Sequence, residues 1–250
     1  MNSHIENAVS ILLKSHNMVI ITGAGISTNA GIPDFRGPGG LYSRKDIPAE
    51  NLFDIDYFYR DPSLFYTNIG ELIDSFVTAV PTQSHITIAD LEHSGKLLLT
   101  VTQNIDGLHQ RAGSRKIICA HGDFSEFYCI HCGTATIDTA PIFDTIRTKR
   151  IPYCSCGGVM KPRVVFFGEG VIGMNESMEA ISHADCVLVA GSSLVVHPVA
   201  SLPKYRNSGT PLIIVNRGET PYDSSADFKI ETDTDDFFRI LSEHDNQLSS

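Results

Sequence analysis

The chain has no tryptophan, and it is short of positive charge: 19 Lys and Arg stand against 29 Asp and Glu, a formal net charge of −10 over 250 residues. Phosphate backbones are held by cationic faces, so this balance argues against DNA or RNA as a direct partner. Long apolar runs are also missing. Stretches such as Cys186 to Ala190 are strand-sized and far short of the roughly 20 residues that cross a bilayer. The start, Met1-Asn2-Ser3-His4-Ile5-Glu6, lacks the basic and apolar stretches of a signal peptide. A cytoplasmic chain without a membrane partner is therefore expected. No fixed-period repeat or low-complexity tract is visible. Cysteines number only six, and in a cytosolic chain they argue for metal or isolated thiols before disulfides.

What is present is enough apolar sequence for one core, or for a large domain with a small insert. Ile5, Ala8, Val9, Leu12 and Leu13 predict a helix over residues 3–15, followed by a strand from Met18 to Thr22. An irregular stretch runs from Gly37 to Asp56. Asp61-Pro62 opens a helix whose one face carries Phe65, Ile69, Leu72, Ile73 and Phe76, and Pro81 ends it. A second helix is predicted over 84–93, then strands 97–102 and 116–120. Residues 124–163 lose this periodicity. Beyond them strands at 164–167, 186–190 and 212–215 alternate with helices at 176–183 and 198–205. Alternation of this kind implies a doubly wound, Rossmann-like parallel sheet, with the cysteine-bearing segment as an inserted small domain. The expected division is 1–35, 81–123 and 164–250 for the large domain, and 36–80 with 124–163 for the small one.

Cys129, Cys132, Cys154 and Cys156 fall as two close pairs, 21 residues (133–153) apart. That is the pattern of a tetrahedral structural zinc site, although the second pair is spaced by one residue where two is usual. Gly133 and Gly157-Gly158 follow the pairs and allow tight knuckles. Four thiolates leave no open position for catalysis.

Gly23-Ala24-Gly25 directly follows the first strand, where glycines let the chain turn and a pyrophosphate approach backbone N–H groups. The dinucleotide fingerprint is imperfect, because Thr28 replaces its third glycine and no ribose-reading acid follows a second strand. Nearby, Asp34, Phe35 and Arg36 share one loop, and Gln103, Asn104, Ile105 and Asp106 crowd the carboxyl end of a buried strand. Ligands bind at that edge of a doubly wound sheet.

These segments resemble the sirtuin family of silent information regulator deacetylases. The matching stretches are GAGISTNAGIPDFRGPGGLY (23–42), TQNIDGLHQRAG (102–113), HG (121–122), the cysteine pairs, VVFFGE (164–169), GSSLVVHP (191–198) and IIVNRGETPYD (213–223). The family's order is kept, and the match spans essentially the whole chain. Cys119-Ala120 and Arg163 depart from its usual residues. The resemblance implies an NAD-dependent protein lysine deacetylase, with NAD as co-substrate and one structural zinc ion. It implies that Gly23, Ala24 and Gly25, with Ile26 beside them, hold the pyrophosphate. Asp34, Phe35, Arg36 and Tyr42 would belong to a cofactor loop, and Gln103, Asn104, Ile105 and Asp106 to the ribose and nicotinamide pocket. Gly191, Ser192, Ser193, Asn216 and Arg217 would cradle the adenosine half. Val165, Phe166, Phe167, Gly168 and Glu169, with Leu194, Val195 and Val196, would flank an acyl-lysine peptide as two strands.

In the implied reaction the acyl-lysine carbonyl oxygen attacks the nicotinamide ribose. His121 then acts as base on a ribose hydroxyl, oriented by Asn104 and Asp106. Three other readings are weighed. An NAD glycohydrolase or mono-ADP-ribosyltransferase would share the fold but would not need the peptide edges. A non-enzymatic nucleotide sensor would not need His121, and a dehydrogenase would need the missing ribose acid. Family members that remove acidic acyl groups carry a Tyr-x-x-Arg pair. Tyr66 aligns with the Tyr and Ile69 with the Arg, so neutral acyl groups are expected.

Overall fold

The computed structural model describes residues 3–33 and 49–249. Six parallel strands form one sheet in the order β3-β2-β1-β7-β8-β9. They are β1 (Met18–Thr22), β2 (Leu97–Thr102), β3 (Ile117–Cys119), β7 (Cys186–Ala190), β8 (Leu212–Val215) and β9 (Phe228–Ile230). A separate antiparallel sheet of order β5-β4-β6 contains β4 (Phe127–Cys129), β5 (Ala135–Thr136) and β6 (Met160–Pro162). The strand order reverses between β1 and β7, the switch point of a doubly wound sheet.

Strand residues alternate between two cores, as a period of two requires. Met18 and Ile20 of β1, with Leu188 and Ile213, meet α1 (Ser3–Lys14), α6 (Gln83–His93) and α10 (Thr234–Ser249). Val19 and Ile21 face the other way, with Val187, Ile214, Ile181 of α9 (Met174–Ser182) and Leu202. A third apolar cluster gathers residues from 32–79 and 124–166 and is the core of the small module. It holds α2 (Ala49–Leu52), α3 (Ile55–Arg60), α4 (Ser63–Asn68), α5 (Gly70–Thr78) and α8 (Ala140–Arg147); the short α7 (Leu108–Ala112) follows β2. No helix among the described residues is long and apolar enough to cross a membrane.

Several expectations change. The single helix after Asp61-Pro62 is two, broken at Ile69 before Gly70. The segment at 198–205 is a 3₁₀ helix, Val199–Tyr205, because Pro203 lacks the N–H that an α-helical ladder needs. Residues 164–167 are no strand of the parallel sheet. Their burial alternates, with Val164 and Phe166 buried, but Phe167 makes only an isolated bridge with Asp54. The sequence reading passed over β9 and α10. Asp235 and Asp236 mask the start of α10, whose Phe237, Phe238 and Leu241 are fully buried.

Two histidines lie beneath β1 in a protein-enclosed pair, with ring centroids 4.8 Å apart. The Thr82 amide donates to His85 Nδ1 (3.2 Å), so the His85 proton sits on Nε2. Nε2 of His109 lies 3.0 Å from Thr22 Oγ1. Burial drives the His85 pKa down to about 3, and burial, reinforced by His85, holds His109 well below the ordinary value. In the unfolded chain both take up protons as pH falls below about 6.5, while in the folded chain they stay neutral. Stability is therefore intact above that pH and declines as pH falls toward the folded-state values. The expected slope is up to about 1.4 kcal/mol per pH unit for each histidine. Urea midpoints at pH 7 and pH 5 check this: a marked drop at pH 5, reduced in His109→Gln, is expected, and a flat profile contradicts it.

Candidate active site

A cavity of about 550 Å³ opens where β1, β2, β7 and β8 end, between the large sheet and the small module. At the switch point β1 and β7 come into backbone contact. Gly23 N–H donates to Ala190 O (3.1 Å) and Gly25 N–H to Gly191 O (2.8 Å). A Cβ on Gly25 would fall 2.7 Å from Gly191 Cα, and one on Gly191 would fall 2.5 Å from the Ile26 nitrogen. Gly191 also has φ +62°, where only glycine is comfortable. The glycines are thus required first by the approach of two strand ends. The Gly23 and Gly25 amides are spent inside the protein, and Ala24 is the turn residue outside these two bonds.

Polar side chains at the end of β2 tie the cavity together. Asn104 Nδ2 donates to Gly23 O and to Ser27 Oγ, both at 3.1 Å. Ser27 Oγ donates to Asp106 Oδ2 (2.7 Å), and Asp106 Oδ1 accepts from the Leu108 amide (2.9 Å). Loss of solvent raises the Asp106 pKa against the pull of these bonds. Gln103 Nε2 crosses to Ser192 Oγ at 2.8 Å, bridging the ends of β2 and β7. Beyond β8, Arg217 pairs with Asp233 (2.6 Å), and Asn216 Nδ2 donates to Gly218 O (2.9 Å).

His121 follows β3 and lines the cavity. Its Nδ1 is 3.0 Å from the Gln103 carbonyl oxygen. A carbonyl only accepts, so Nδ1 carries the proton and Nε2 keeps the lone pair. Burial, the dominant influence, lowers the His121 pKa below the ordinary value, and the Gln103 bond opposes it. The ring is therefore neutral at pH 7, as a general base must be.

Two backbone segments, Val164–Glu169 and Ser192–Val196, border the cavity. Val165 N–H donates to His121 O (2.8 Å), and Phe167 N–H donates to Phe53 O (2.7 Å). Opposite them, Ser192 Oγ accepts from the Leu194 amide (3.2 Å), and Leu194 has φ +51°. Phe167 and Val195 are exposed.

In the small module the four cysteine Sγ atoms lie within 4.8 Å of one another. The Cys129–Cys156 and Cys132–Cys154 separations are 3.5 and 3.8 Å. Tetrahedral zinc with bonds of about 2.3 Å requires sulfur separations of about 3.8 Å. The Cys129 sulfur accepts from the His131 and Cys132 amides (3.4 and 3.5 Å), as a thiolate ligand needs. A Cβ at residue 158 would fall 2.5 Å from that sulfur, so Gly158 closes the knuckle. The one-residue spacing of Cys154 and Cys156 does not disturb the cluster.

The Sir2 family model matches residues 23–198, from the glycine turn through both cleft edges. The chain belongs to the Sir2 family. An NAD-dependent protein deacetylase of Thermotoga maritima is 41% identical over 243 residues, 96% of this chain and 97% of that protein. NAD-dependent protein deacylase 2 of Archaeoglobus fulgidus is 41% identical over 235 residues, 92% of this chain and 91% of that one. A solved structure described as a basis for the mechanism and regulation of Sir2 enzymes has a TM-score of 0.90 at 38% identity, covering 99% and 100% of the two chains. A Sir2 structure with deacetylated peptide and 3′-O-acetyl ADP-ribose has a TM-score of 0.88 at 40% identity, covering 96% and 98%.

Most residues singled out in the sequence converge on this Sir2 cavity. Gly23, Ala24, Gly25, Gln103, Asn104, Ile105 and His121 line one side, and Gly191, Ser192, Ser193, Asn216 and Arg217 another. Asp34, Phe35, Arg36 and Tyr42 lie outside the described residues. Ile26 and Leu194 are buried, and Asp106 reaches the cavity through Ser27 and Asn104. Tyr66 and Ile69 are core residues of the small module, and the Tyr66 hydroxyl donates to Met160 O. The sequence reading missed Phe53, Thr28, Asp233 and Thr234 in the lining. Phe53 sits in a stretch read as irregular. Asp233-Thr234 carries only a helix-start signal.

The zinc cluster gives a direct expectation. Purified protein should contain about one zinc per chain, and Cys132→Ala or Cys154→Ala should lose it and destabilise the small module, since metal binding there is folding free energy. Metal analysis with thermal melts decides. Active protein free of zinc is the contrary result.

Proposed function

We propose that this chain is an NAD-dependent protein lysine deacetylase whose base is His121. The observation that carries the reading is one neutral histidine, with its lone pair on Nε2, in a cavity bordered by two backbone segments, Val164–Glu169 and Leu194–Val196. In this reading NAD supplies nicotinamide as the leaving group and ADP-ribose as acceptor of the acyl group. Deacetylases of this family and Sir2 structures with acetylated peptide and with NAD support it.

Each part of the chain then has a task. Residues 1–35, 81–123 and 164–250 form the NAD-binding module. Residues 36–80 and 124–163 form the small module that closes the cleft. The edges Val165–Glu169 and Leu194–Val196 receive the peptide by main-chain pairing, which gives affinity with little sequence demand. The apolar wall of Phe53, Ile105, Val164 and Phe166 excludes water from the acyl-lysine. Ala24, Ser192 and Ser193 offer donors to the pyrophosphate end, and Arg217 and Asn216 border the adenosine end. His121 Nε2 removes a ribose-hydroxyl proton. Asn104 and Asp106 set the Gly23 turn against the ribose pocket, so their contribution is largely positional. Alignment of this kind can supply several orders of magnitude.

His121→Ala should leave NAD affinity nearly unchanged and reduce deacetylation by roughly a hundredfold or more, the range for a lost general base. Nicotinamide exchange should suffer less. In wild type, kcat/KM should fall only as pH drops through a value below the usual histidine 6.5, because protonation blocks the base and burial resists it. A paired assay of exchange, NAD binding and peptide product checks this. Wild-type NAD consumption independent of peptide would instead indicate a glycohydrolase.

Acyl preference follows from the lining. Among the described residues that border the cavity, Arg217 is the sole guanidinium, and Asp233 engages it. Among the described residues an acidic acyl chain therefore meets no bidentate partner beside His121. Acetyl-lysine peptide should be turned over with much higher kcat/KM than succinyl-lysine peptide. Ile69→Arg should destabilise the small module and confer no succinyl activity. Competition between the two peptides measures this, and a wild-type preference for succinyl-lysine would refute it.

A further inference from the structure

Among the described residues Lys161 is the only lysine or arginine in the core, 1% exposed on β6. A buried ammonium is costly unless its protons are engaged. Its Nζ donates to Val164 O at 2.8 Å and to Glu169 Oε2 at 2.9 Å, and it lies 4.1 Å from the centre of the Phe166 ring. The same Glu169 oxygen accepts from the Phe166 amide at 2.8 Å. Lys161 thus holds the first carbonyl of the Val164–Glu169 segment and, through Glu169, an amide in its middle. Desolvation lowers the Lys161 pKa, and Glu169 opposes this.

This segment has no neighbouring strand in either sheet. Its other backbone bonds run from Val165 N–H to His121 O, from Phe167 N–H to Phe53 O, from Ile55 N–H back to Phe167 O (3.1 Å), and from Glu169 N–H to Phe166 O (3.0 Å). The Phe166 ring is seated in the small-module aromatic cluster, 5.4 Å from the centres of both Phe53 and Phe58. Ring packing fixes the depth of the segment but not its register. Backbone bonds anchor the segment at Val165 and Phe167, and the ion pair adds the directional bonds that hold Val164 and Phe166 between and before those anchors, so that together they fix the register and the aspect that Val165 and Phe167 turn to the cleft. An apolar side chain at 161 could fill the volume but could not hold a carbonyl and a carboxylate at once.

We propose that Lys161, acting through Glu169, is a positioning residue for peptide recognition: it sets the register of the Val164–Glu169 edge with which the flanking main chain of an acyl-lysine peptide pairs. This assignment rests on the deacetylase reading and adds a determinant outside the cavity lining. Because the pair acts on the edge, its loss affects substrates that run along the edge and spares a substrate with no flanking chain.

The test compares an acetyl-lysine peptide spanning the whole edge with a blocked single acetyl-lysine, in wild type, Lys161→Met, Lys161→Arg and Glu169→Gln. NAD affinity and zinc content report folding. Lys161→Met should raise the peptide KM by roughly tenfold, the effect of losing one or two main-chain hydrogen bonds. The blocked amino acid's KM, the peptide kcat and NAD affinity should stay near wild type. Lys161→Arg should recover most of the peptide KM, and Glu169→Gln should fall between. An equal loss on both substrates, or a lowered Tm with an unchanged peptide KM, would assign the pair to stability alone and overturn the proposal. Failure of both Lys161→Met and Glu169→Gln to fold would do the same. Wild type that turns over neither substrate would bring down the deacetylase reading itself.

Discussion

Everything at this site is referred to the crossing of two strand ends. The β1 and β7 backbones approach so closely that Gly25 and Gly191 exclude even a methyl group. Once the Gly23 and Gly25 amides are committed to β7, the turn presents carbonyls, and other elements register themselves on these. Asn104 from the end of β2 holds Gly23 O; Thr28 holds Gly25 O at 3.0 Å; Thr82, just before α6, holds Ile26 O at 3.0 Å. A packing constraint between glycines thereby becomes a positional standard for the β2 loop and for a helix start. Rigid elements hold functional groups better than free loops do.

The cleft depends on a second chain of dependence through the small module. Cys129 ends β4, and β4 pairs with β6 so that Cys129 faces Met160 and Tyr128 faces Lys161. Residues 163–169 leave β6 directly and form one edge of the cleft. A metal at the four cysteines would take no part in acyl transfer, yet it would fix β4 and hence β6. An unpaired edge is ordinarily a liability. Here the edge is short and buried on alternate residues, which leaves its other face for a partner.

Much of this was legible in the sequence because strong local rules coincide with the fold. Strands β1, β2, β7 and β8 are continuous apolar runs, as buried parallel strands must be. The cysteine spacing reflects a geometric requirement of the metal. The failures have physical causes too. Val164 to Phe167 has a strand's alternation, but pairing is a tertiary property, and this segment's backbone partners are scattered over two different modules. Periodicity did place Phe65, Ile69, Leu72, Ile73 and Phe76 on one buried face, and only the break at Ile69 escaped it, because residue 69 stays in the αR region and the break carries no proline. Lys161 gave no signal at all: a lone lysine among apolar residues reads as solvated, and only the fold shows Glu169 beneath it.

Gln103 shows why a list of pocket residues understates what they do. Its carbonyl oxygen takes the His121 Nδ1 proton and so decides which imidazole nitrogen is basic. Its side-chain amide reaches Ser192 across the switch point. One residue therefore sets both the tautomer of the base and the separation of the strand ends that frame the cavity. The His121 ring is kept neutral by burial and kept in one tautomer by a carbonyl, and among the described residues no carboxylate bonds to it. A partner carboxylate would stabilise the imidazolium and raise its pKa. Without one, His121 is ready to accept a proton at neutral pH but holds it weakly. That would suit the role proposed for it, in which a base takes a hydroxyl proton in one step and must release it before the next turnover.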